Sequence, residues 1–412
     1  MGKIFQPTVI SGYGAITALG KDCEKASSNM MEGVIRNVTM GKRFFPDNFS
    51  APCFQVESVA SETGRSKIDD IIDSVSNCNR TVLLALVAVA EGLHRAGLTL
   101  ENLEGKTVGI VLGTTVGCTF HNEEYYIQWR DRLDPHPEPL LAYLRSNLAA
   151  KILEILGLTG PTLVITNACA SGTDAIGVAK SWLEYGKCDI AIAGGTDELS
   201  RVACHGFKSL MLYSEKSCTP FDSNRQGLNL GEGAGILVME REVDAVKREQ
   251  KIFGKVAGYG IAGDAYHPTA PHPQGEGLQR AVTAALQNSK LQIDDICLIN
   301  AHGTGTPAND LAETNAIAAL GFAAETVPVV STKGFTGHTL GAAGGVEAVF
   351  TLMALNDGLV FGSGGCETLD PGLAFPAMTA SEKRQLSGRV GISQSLAFGG
   401  SNSALVIEGA AI

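Results

Sequence analysis

The chain has 412 residues, of which 44% are hydrophobic and 18% charged, and its formal net charge is −11. This is the composition of a well-folded globular protein with enough length for two large cores, and the acidic balance argues against non-specific nucleic-acid binding. No run of 18 apolar residues is present, so no membrane span is predicted, and the first residues lack the layout of a signal peptide.

The 10 cysteines contain no C-x-x-C pair, which argues against zinc and thioredoxin-type sites. A chain of this size does not need disulfides for stability. Reduced thiols in a cytoplasm are the simplest interpretation, and a cytoplasmic location is therefore predicted.

Short apolar strands alternate with helical stretches along the whole chain, which predicts an α/β fold with mostly buried strands. In chain order the pattern predicts a strand over 8–16, a helix over 83–96, a strand over 106–117, a helix over 140–156, a strand–turn–helix over 162–186, strands over 188–195, 235–240 and 254–262, a helix over 277–289, a strand and turn over 295–307, and a strand–turn–helix over 327–358. The last helix, over 339–355, is apolar nearly all round and is predicted to be buried.

Three pairs of segments resemble each other, which predicts two halves of similar fold. Gly-Tyr-Gly ends the strands over 8–16 and 254–262, and the segments over 106–117 and 162–186 have counterparts over 295–307 and 327–358. We place the boundary near Gln250, which gives halves over 1–250 and 251–412. Chance resemblance of glycine-rich strand ends is the alternative.

The segment over 162–186, TLVITNACASGTDAIGVAKSWLEYG, carries the strongest chemical signal. Its pattern predicts a strand, a tight turn and a helix of small residues, with Cys169 at or just before the helix N-terminus. Unpaired backbone N–H groups and the helix dipole stabilise a thiolate there, and a thiolate is the nucleophile of a cysteine enzyme. The alternative interpretation is a buried structural cysteine.

Two histidines lie in glycine-rich turns that are predicted to follow strands. His302 lies in NAHGTGTPAND and His338 in STKGFTGHTLGAAGG. A lone histidine is more often structural, but catalytic groups gather at the carboxyl ends of strands in α/β proteins. The matching turns therefore favour a shared site with Cys169.

Eight motifs in this order resemble the β-ketoacyl-acyl-carrier-protein synthases, the elongating ketosynthases of the thiolase fold. They are ACASG around Cys169, AGGTD at 193–197, PFD at 220–222, LGEGAG at 230–235, DAYH at 264–267, AHGTGTPAND at 301–310, STKGFTGHTLGAAG at 331–344 and FGGSN at 398–402. The resemblance covers nearly the whole chain. It implies a thiolase-like α/β fold of two duplicated halves packed as five α-β-α-β-α layers.

The resemblance also implies a reaction, the decarboxylative condensation of malonyl-acyl carrier protein with an acyl chain. Cys169 would hold the acyl chain as a thioester, and His302 and His338 would stabilise the enolate that forms when CO₂ leaves. The backbone N–H groups of Cys169 and Phe398 would form the oxyanion hole, and Phe398 would also be the gate of the acyl pocket.

Supporting residues are implied in the same way. Lys333 would keep His338 neutral, and Glu347 would offset the lysine charge; a purely structural ion pair is the alternative. Phosphopantetheine of the acyl carrier protein would be bound by Thr269, Thr304 and Thr306. No metal and no separately bound cofactor are expected, since the substrates are carried on phosphopantetheine. The candidates for docking the acidic carrier protein are Arg65, Lys67 and Lys208.

Departures from the family pattern bear on the pathway. Leu396 and Ala397 replace a phenylalanine and a glycine beside the gate, and Gln394 replaces an asparagine associated with a structural cation site. The segments over 129–147 and 360–370 also differ from the usual sequences. These departures favour a type II polyketide or polyene ketosynthase paired with a homologous chain-length factor, and the alternative is a homodimeric enzyme of fatty-acid elongation.

Two other classes are disfavoured. A thiolase relies on a second cysteine near the C-terminus, and the last cysteine here, Cys366, lies outside any matching motif. A non-catalytic chain-length factor has lost the nucleophile, whereas this chain has Cys169 and both histidines.

Overall fold

The computed structural model describes residues 6–41, 44–45, 49–59, 67–75, 78–115, 117, 119–138, 140–141 and 147–410. The strands are β1 (Thr8–Thr17), β2 (Val38–Met40), β3 (Ala51–Cys53), β4 (Val108–Gly113), β5 (Thr162–Ile165), β6 (Ile190–Asp197), β7 (Gly233–Arg241), β8 (Gly254–Gly263), β9 (Leu298–Asn300), β10 (Val329–Val330), β11 (Leu359–Phe361), β12 (Lys383–Gln385), β13 (Val390–Ala397) and β14 (Ser401–Gly409). The helices are α1 (Cys23–Met31), α2 (Lys67–Ser74), α3 (Arg80–Arg95), α4 (Leu100–Leu103), α5 (Thr119–Arg130), α6 (Leu148–Ile155), α7 (Ser171–Glu184), α8 (Arg201–Ser209), α9 (Glu242–Lys247), α10 (Glu276–Ser289), α11 (Pro307–Leu320), α12 (Lys333–Thr336) and α13 (Ala343–Asp357).

Ten strands follow one hydrogen-bonded order, β10-β9-β13-β14-β8-β1-β7-β6-β4-β5. The order contains the same five-strand pattern twice. The first half contributes β1, β4, β5, β6 and β7, and the second half contributes β8, β9, β10, β13 and β14. When the five strands of each half are numbered along the chain, they lie side by side in the order third, second, fourth, fifth, first in both halves. The directions repeat as well, because in each half the fifth strand is antiparallel to the first and the fourth, and the second is parallel to the third and the fourth.

In the described part of the chain, the pairing of Ile10 with Gly254 joins the two five-strand sets. The repeat of order and direction confirms the predicted fold of two duplicated halves. The chain passes from one set to the other over residues 242–253, and we propose that the halves divide within this stretch, at residue 250.

The layers follow from which helices pack on which strands. Helix α3 packs on β1, β6 and β7, and α10 packs on β8, β13 and β14, so each lies on an outer face. Helices α7 and α13 each contact strands of both sets and lie between them. The result is the predicted α-β-α-β-α arrangement.

The central helices approach each other very closely. A Cβ at Gly172 in α7 would lie 2.7 Å from the Gly345 nitrogen in α13, which is closer than van der Waals contact allows. Helix α13 begins at Ala343, after a 3₁₀ turn over Leu340–Ala342, and its first ten residues are all buried. The buried helix predicted from its all-round apolar pattern is therefore confirmed.

Some predictions need correction or fall outside the described residues. The helix predicted over 140–156 is present as α6, which begins after Asn147, whose Oδ1 accepts a hydrogen bond from the Ala150 N–H at 2.6 Å. Residues 142–146 of that segment lie outside the described part of the chain. Trp129, at the start of the divergent segment over 129–147, lies in helix α5.

The described residues contain no helix with the length and apolar character needed to cross a membrane. The nine cysteines in the described part of the chain are all free thiols.

Candidate active site

Cys169 lies in a strained turn between β5 and α7. Ala168 has φ +45°, a left-handed conformation that is unusual for a residue with a side chain. The turn is held by Ser171, whose Oγ donates to the Ala168 carbonyl at 2.6 Å and accepts from the Asn167 N–H at 2.8 Å. Cys169 therefore comes directly before Ala170, the N-cap of α7, as the sequence pattern predicts.

His302 follows β9, and its backbone and its ring are held by different groups. Its N–H donates to Glu313 Oε1 at 2.5 Å, and the next N–H, of Gly303, donates to Glu313 Oε2 at 2.7 Å. The Lys333 ammonium lies 3.1 Å from His302 Nδ1 and donates to the His302 carbonyl at 2.6 Å. Because an ammonium only donates, Nδ1 is the acceptor and the ring proton is on Nε2.

His338 reaches the same pocket from a different kind of turn. The prediction that it follows a strand directly is wrong, because β10 ends at Val330 and α12 comes between. The Leu340 N–H donates to His338 Nδ1 at 3.1 Å, which again leaves the ring proton on Nε2. That Nε2 lies 3.1 Å from Cys169 Sγ, and the two imidazole centroids are 5.1 Å apart.

Both imidazoles are neutral at physiological pH. Burial is the main cause that lowers the pKa of His302 and of His338 well below the usual value, and the positive charge of Lys333 lowers both further. Lys333 contacts His302 directly, whereas the family resemblance implied an effect on His338 alone. Its influence on His338 is through charge. The pocket therefore presents two neutral N–H donors.

Lys333 and Glu347 form a buried pair behind the imidazoles, with only 1% and 2% of their surfaces exposed. The ammonium donates to Glu347 Oε1, which is its third partner besides the two atoms of His302. Burial raises the pKa of Glu347 to about 7, although Lys333 opposes the shift. Within the described residues, Glu347 Oε2 has no hydrogen-bond partner.

The cysteine differs from the sequence expectation of a stabilised thiolate. Burial raises the pKa of Cys169 to about 12, while Lys333 and a hydrogen bond from the Phe398 N–H act in the opposite direction. The sulfur therefore rests as a thiol, because its burial outweighs the donors around it.

The site opens into a pocket of about 170 Å³. Its lining includes seven of the residues that were given a catalytic, gate or binding role from the sequence, namely Cys169, Thr269, His302, Thr304, Thr306, His338 and Phe398. The hydroxyls of Thr304 and Thr306 lie 2.9 Å apart. Lys333 and Glu347 do not line the pocket and act from behind it. Cys366 lies in the core of the second half and is not part of this lining.

Sequence reasoning singled out Leu396 and Ala397 beside the gate but missed the rest of the apolar lining. Phe207, Leu210, Leu212 and Leu228 belong to that part. The rings of Phe207 and Phe398 have centroids 5.3 Å apart. No local signal separates these residues from ordinary core residues, since only packing brings α8 against the turn after β13.

The three basic residues suggested for carrier docking have different surroundings. Arg65 lies outside the described residues. Lys67 forms a surface ion pair with Glu101. Lys208 follows Phe207 of the pocket lining, and its ammonium lies 4.3 Å from the centroid of the Phe49 ring.

Two places in the described residues are candidate metal sites. Donor atoms of Cys169, His302 and His338 lie within 4.8 Å of one another, but both Nε2 atoms carry protons, which suits hydrogen-bond donation rather than ligation. At the place of the family's cation site, Glu313 is contacted by N–H groups of His302, Gly303, Asn309 and Gln394, the last at 2.7 Å. Hard cations need oxygen ligands, so these residues do not fit one.

A thiolase-like fold that brings a cysteine and two neutral histidines into one pocket defines the class of condensing acyltransferases. The chain belongs to the beta-ketoacyl synthase family: the model of the N-terminal domain matches residues 6–245, and the model of the C-terminal domain matches residues 253–366. It is an acyltransferase of the ketosynthase condensation step, which confirms the predicted enzyme class.

Several relatives are similar over almost the whole chain. The 3-oxoacyl-[acyl-carrier-protein] synthase 2 of Staphylococcus aureus is 34% identical over 97% of this chain and 97% of its own length, and so is the protein of the same name from Synechocystis. Among solved structures, the ishigamide ketosynthase/chain length factor has a TM-score of 0.86 and 28% identity, covering 99% of this chain and 100% of that chain. A beta-ketoacyl synthase from Burkholderia phymatum has a TM-score of 0.85 and 27% identity, covering 98% and 100%.

Proposed function

We propose that the chain condenses malonyl-acyl carrier protein with an acyl chain held as a thioester on Cys169, giving β-ketoacyl-acyl carrier protein and CO₂. The observation that carries the proposal is the 3.1 Å distance from Cys169 Sγ to the protonated Nε2 of His338, with the His302 ring 5.1 Å from that of His338. A carbonyl oxygen placed between the imidazoles would accept hydrogen bonds from both.

The first step is acyl transfer to the cysteine. Cys169 Sγ bonds to the acyl carbon, the bond from that carbon to the pantetheine sulfur breaks, and the pantetheine thiol leaves with the proton that Cys169 gives up. The tetrahedral oxyanion is stabilised by the backbone N–H groups of Cys169 and Phe398.

The second step forms the new carbon–carbon bond. The malonyl thioester carbonyl accepts from the Nε2–H groups of His302 and His338, which stabilise the enolate as the carbon–carboxylate bond breaks and CO₂ leaves. The enolate carbon bonds to the acyl carbon, the bond from that carbon to Cys169 Sγ breaks, and the Cys169 thiolate takes up a proton from solvent. Neutral donors suit this step, because no strong base is required.

The carrier supplies both substrates. Thr269, Thr304 and Thr306 would bind the phosphopantetheine arm in the pocket, so no separate cofactor is needed. Lys208, beside the pocket lining, would attract the acidic carrier protein, and this attraction would weaken with salt. The enzyme would work in the cytoplasm, as a homodimer or as a heterodimer with a homologous chain-length factor.

For the pathway, we propose a type II polyketide or polyene synthase. Leu396 and Ala397 line the pocket next to Phe398, so the departures from the fatty-acid pattern lie where the acyl chain would pass. The 28% identity to the ishigamide ketosynthase/chain length factor supports this choice. Fatty-acid elongation is the second candidate, supported by the 34% identity to the 3-oxoacyl-[acyl-carrier-protein] synthase 2 of Staphylococcus aureus.

The nucleophile is tested with Cys169→Ala. The variant should accept no acyl group and form no product, yet still release CO₂ from malonyl carrier protein, because both imidazoles remain. Intact-protein and peptide mass measurements follow the acyl group. The matched control is Cys188→Ala, another buried cysteine, which should be acylated like the wild type. An acyl group found on a cysteine other than Cys169 would contradict the assignment.

The pathway is tested with carrier-bound chains of equal length, one saturated and one polyunsaturated or polyketone. Elongation rates are compared with and without a homologous partner subunit. Faster extension of the polar or unsaturated chain, dependent on the partner, supports the polyketide or polyene pathway. Fast extension of the saturated acyl substrate by this protein without a partner subunit assigns the protein to fatty-acid synthesis.

A further inference from the structure

We infer that Asn167 and Ser401 are positioning residues whose side-chain hydrogen bond holds the two oxyanion-hole N–H groups in register across the two halves of the molecule. The inference rests on the proposed function and gives a role to two residues that the resemblance left without one. Asp174 anchors this hydrogen bond from the first turn of α7.

The two donors of the oxyanion hole come from different halves. Cys169 lies before α7 in the first half, and Phe398 lies in the turn between β13 and β14 in the second. Each N–H must lie about 2.7–3.1 Å from the same developing oxyanion, so a small shift between the halves would separate them.

One amide group connects the two turns. Asn167 stands two residues before Cys169, and Ser401 stands three residues after Phe398. Asn167 Nδ2 donates one proton to Ser401 Oγ at 2.8 Å and the other to Asp174 Oδ2 at 2.6 Å. Both donors of the amide are therefore used, and its orientation is determined.

Asp174 is itself held by the second half. Only 4% of its surface is exposed, and its Oδ1 accepts from Tyr259 Oη at 2.9 Å and from Ser403 Oγ at 2.5 Å. Tyr259 reaches it across Gly177 of α7, where a Cβ would lie 2.4 Å from the tyrosine ring. The Asp174 carboxylate therefore accepts hydrogen bonds from β8 and β14, and it also orients the Asn167 side chain in the turn of Cys169.

The turn between β13 and β14, which holds Phe398, needs hydrogen bonds from other segments because its backbone is unusual. Gly399 and Gly400 have φ of +85° and +74°, and the turn is tied on another side by the Gly399 N–H to the Pro268 carbonyl at 2.7 Å. The hydrogen bond from Asn167 ties its C-terminal end to the turn of Cys169.

The imidazole donors are held by other groups. Glu313 and Lys333 hold His302, and the Leu340 N–H holds His338. Loss of the bond between Asn167 and Ser401 should therefore impair acylation of Cys169 and leave decarboxylation intact. A general loss of structure would impair both reactions.

The test is Ser401→Ala, with Ser401→Thr as the variant that keeps the hydroxyl. Cys169 acylation from acyl carrier protein and CO₂ release from malonyl carrier protein are measured separately, with the midpoint of thermal unfolding. Ser401→Ala should acylate about 10- to 100-fold more slowly, the range for a misplaced catalytic group, while releasing CO₂ at the wild-type rate. Ser401→Thr should restore acylation.

If Ser401→Ala disturbs the turn between β13 and β14 only slightly, a second variant disturbs the Asn167 side chain from its other partner, Asp174. Asp174→Asn places an amide against the Asn167 amide, and should show the same selective loss of acylation. Wild-type acylation in both variants, or equal loss of acylation, CO₂ release and thermal stability, would overturn the inference. Absence of acylation in the wild-type enzyme would instead overturn the proposed function.

Discussion

At the scale of single residues, Lys333 adds to the effect of burial on the protonation of the pocket. Its ammonium contacts His302 Nδ1, and its charge lowers the pKa of both histidines. Decarboxylation by neutral imidazoles should therefore persist well below pH 6.5. Because Glu347 would be left unpaired by a single change, the informative variant is Lys333→Met combined with Glu347→Gln.

This double variant should shift the acidic limb of the decarboxylation profile upward, toward the ordinary histidine value near 6.5. Burial still lowers both pKa values, so the shift should be partial. The measurement is CO₂ release from malonyl carrier protein as a function of pH. An unchanged acidic limb would mean that the lysine charge does not act on the imidazoles.

Glu313 offers a second prediction at this scale. Burial raises its pKa to about 7, while N–H donors from Gly303, Gln394 and His302 oppose the shift. The folded state therefore binds more protons than the unfolded state between about pH 4.5 and 7, and this group makes the free energy of unfolding fall as pH rises through that window.

In Glu313→Gln this contribution should vanish, so the free energy of unfolding should fall less steeply from pH 4.5 to 7 than in the wild type. The largest difference in slope is about 1.4 kcal/mol per pH unit for one proton. Denaturant titrations at several pH values measure it. Parallel curves for the two proteins would show that Glu313 is ionised throughout the window.

At the scale of elements, the contact between α7 and α13 requires small residues. A Cβ at Gly172 would meet the Gly345 nitrogen at 2.7 Å and the Gly341 carbonyl at 2.8 Å, and both are backbone atoms that cannot rotate away. Gly172→Ala should therefore lower the free energy of unfolding by about 1–3 kcal/mol, the range for overpacking.

The matched control is Gly206→Ala in α8, where nothing lies within 4 Å of the added Cβ. Alanine favours a helix, so this variant should be as stable as the wild type or more stable, by up to about 1 kcal/mol. Denaturant unfolding measures both variants. Equal stability of the two would show that the central helices separate without cost.

At the scale of the whole molecule, the two edges of the ten-strand order differ. Both residues of β10 are buried, whereas β5 is partly exposed and its Leu163 is 37% exposed. An apolar edge strand with unpaired N–H and C=O groups invites pairing with another chain. We expect β5 to pair with β5 of a second copy or of a homologous partner.

Leu163→Lys should weaken this assembly, because it removes apolar area and places like charges close together in a homodimer. Leu311→Lys in α11 is the matched control, since Leu311 is 41% exposed and lies away from the edge strand. Light scattering measures the molecular mass of each variant. A Leu163→Lys protein with the same mass as a dimeric wild type would place the interface elsewhere.

The sequence alone determined the features that depend on neighbouring residues. Apolar runs and glycine turns predicted strands β1 and β4 to β10, the buried helix α13 and the duplication, because burial on both faces and tight turns each leave a local pattern. Strands β13 and β14 were not predicted. The same local pattern placed Cys169 before a helix, and the family motifs led to both histidines and Lys333.

Only the tertiary structure decided the features that depend on distant residues. The contact from Lys333 to His302, the apolar lining at Phe207 and Leu228, and the hydrogen bond from Asn167 to Ser401 each join separate segments. The raised pKa of Cys169 belongs to the same group, because it depends on how completely other segments cover the sulfur. Such distances and burial arise when the two halves pack together, and no periodicity along the chain encodes them.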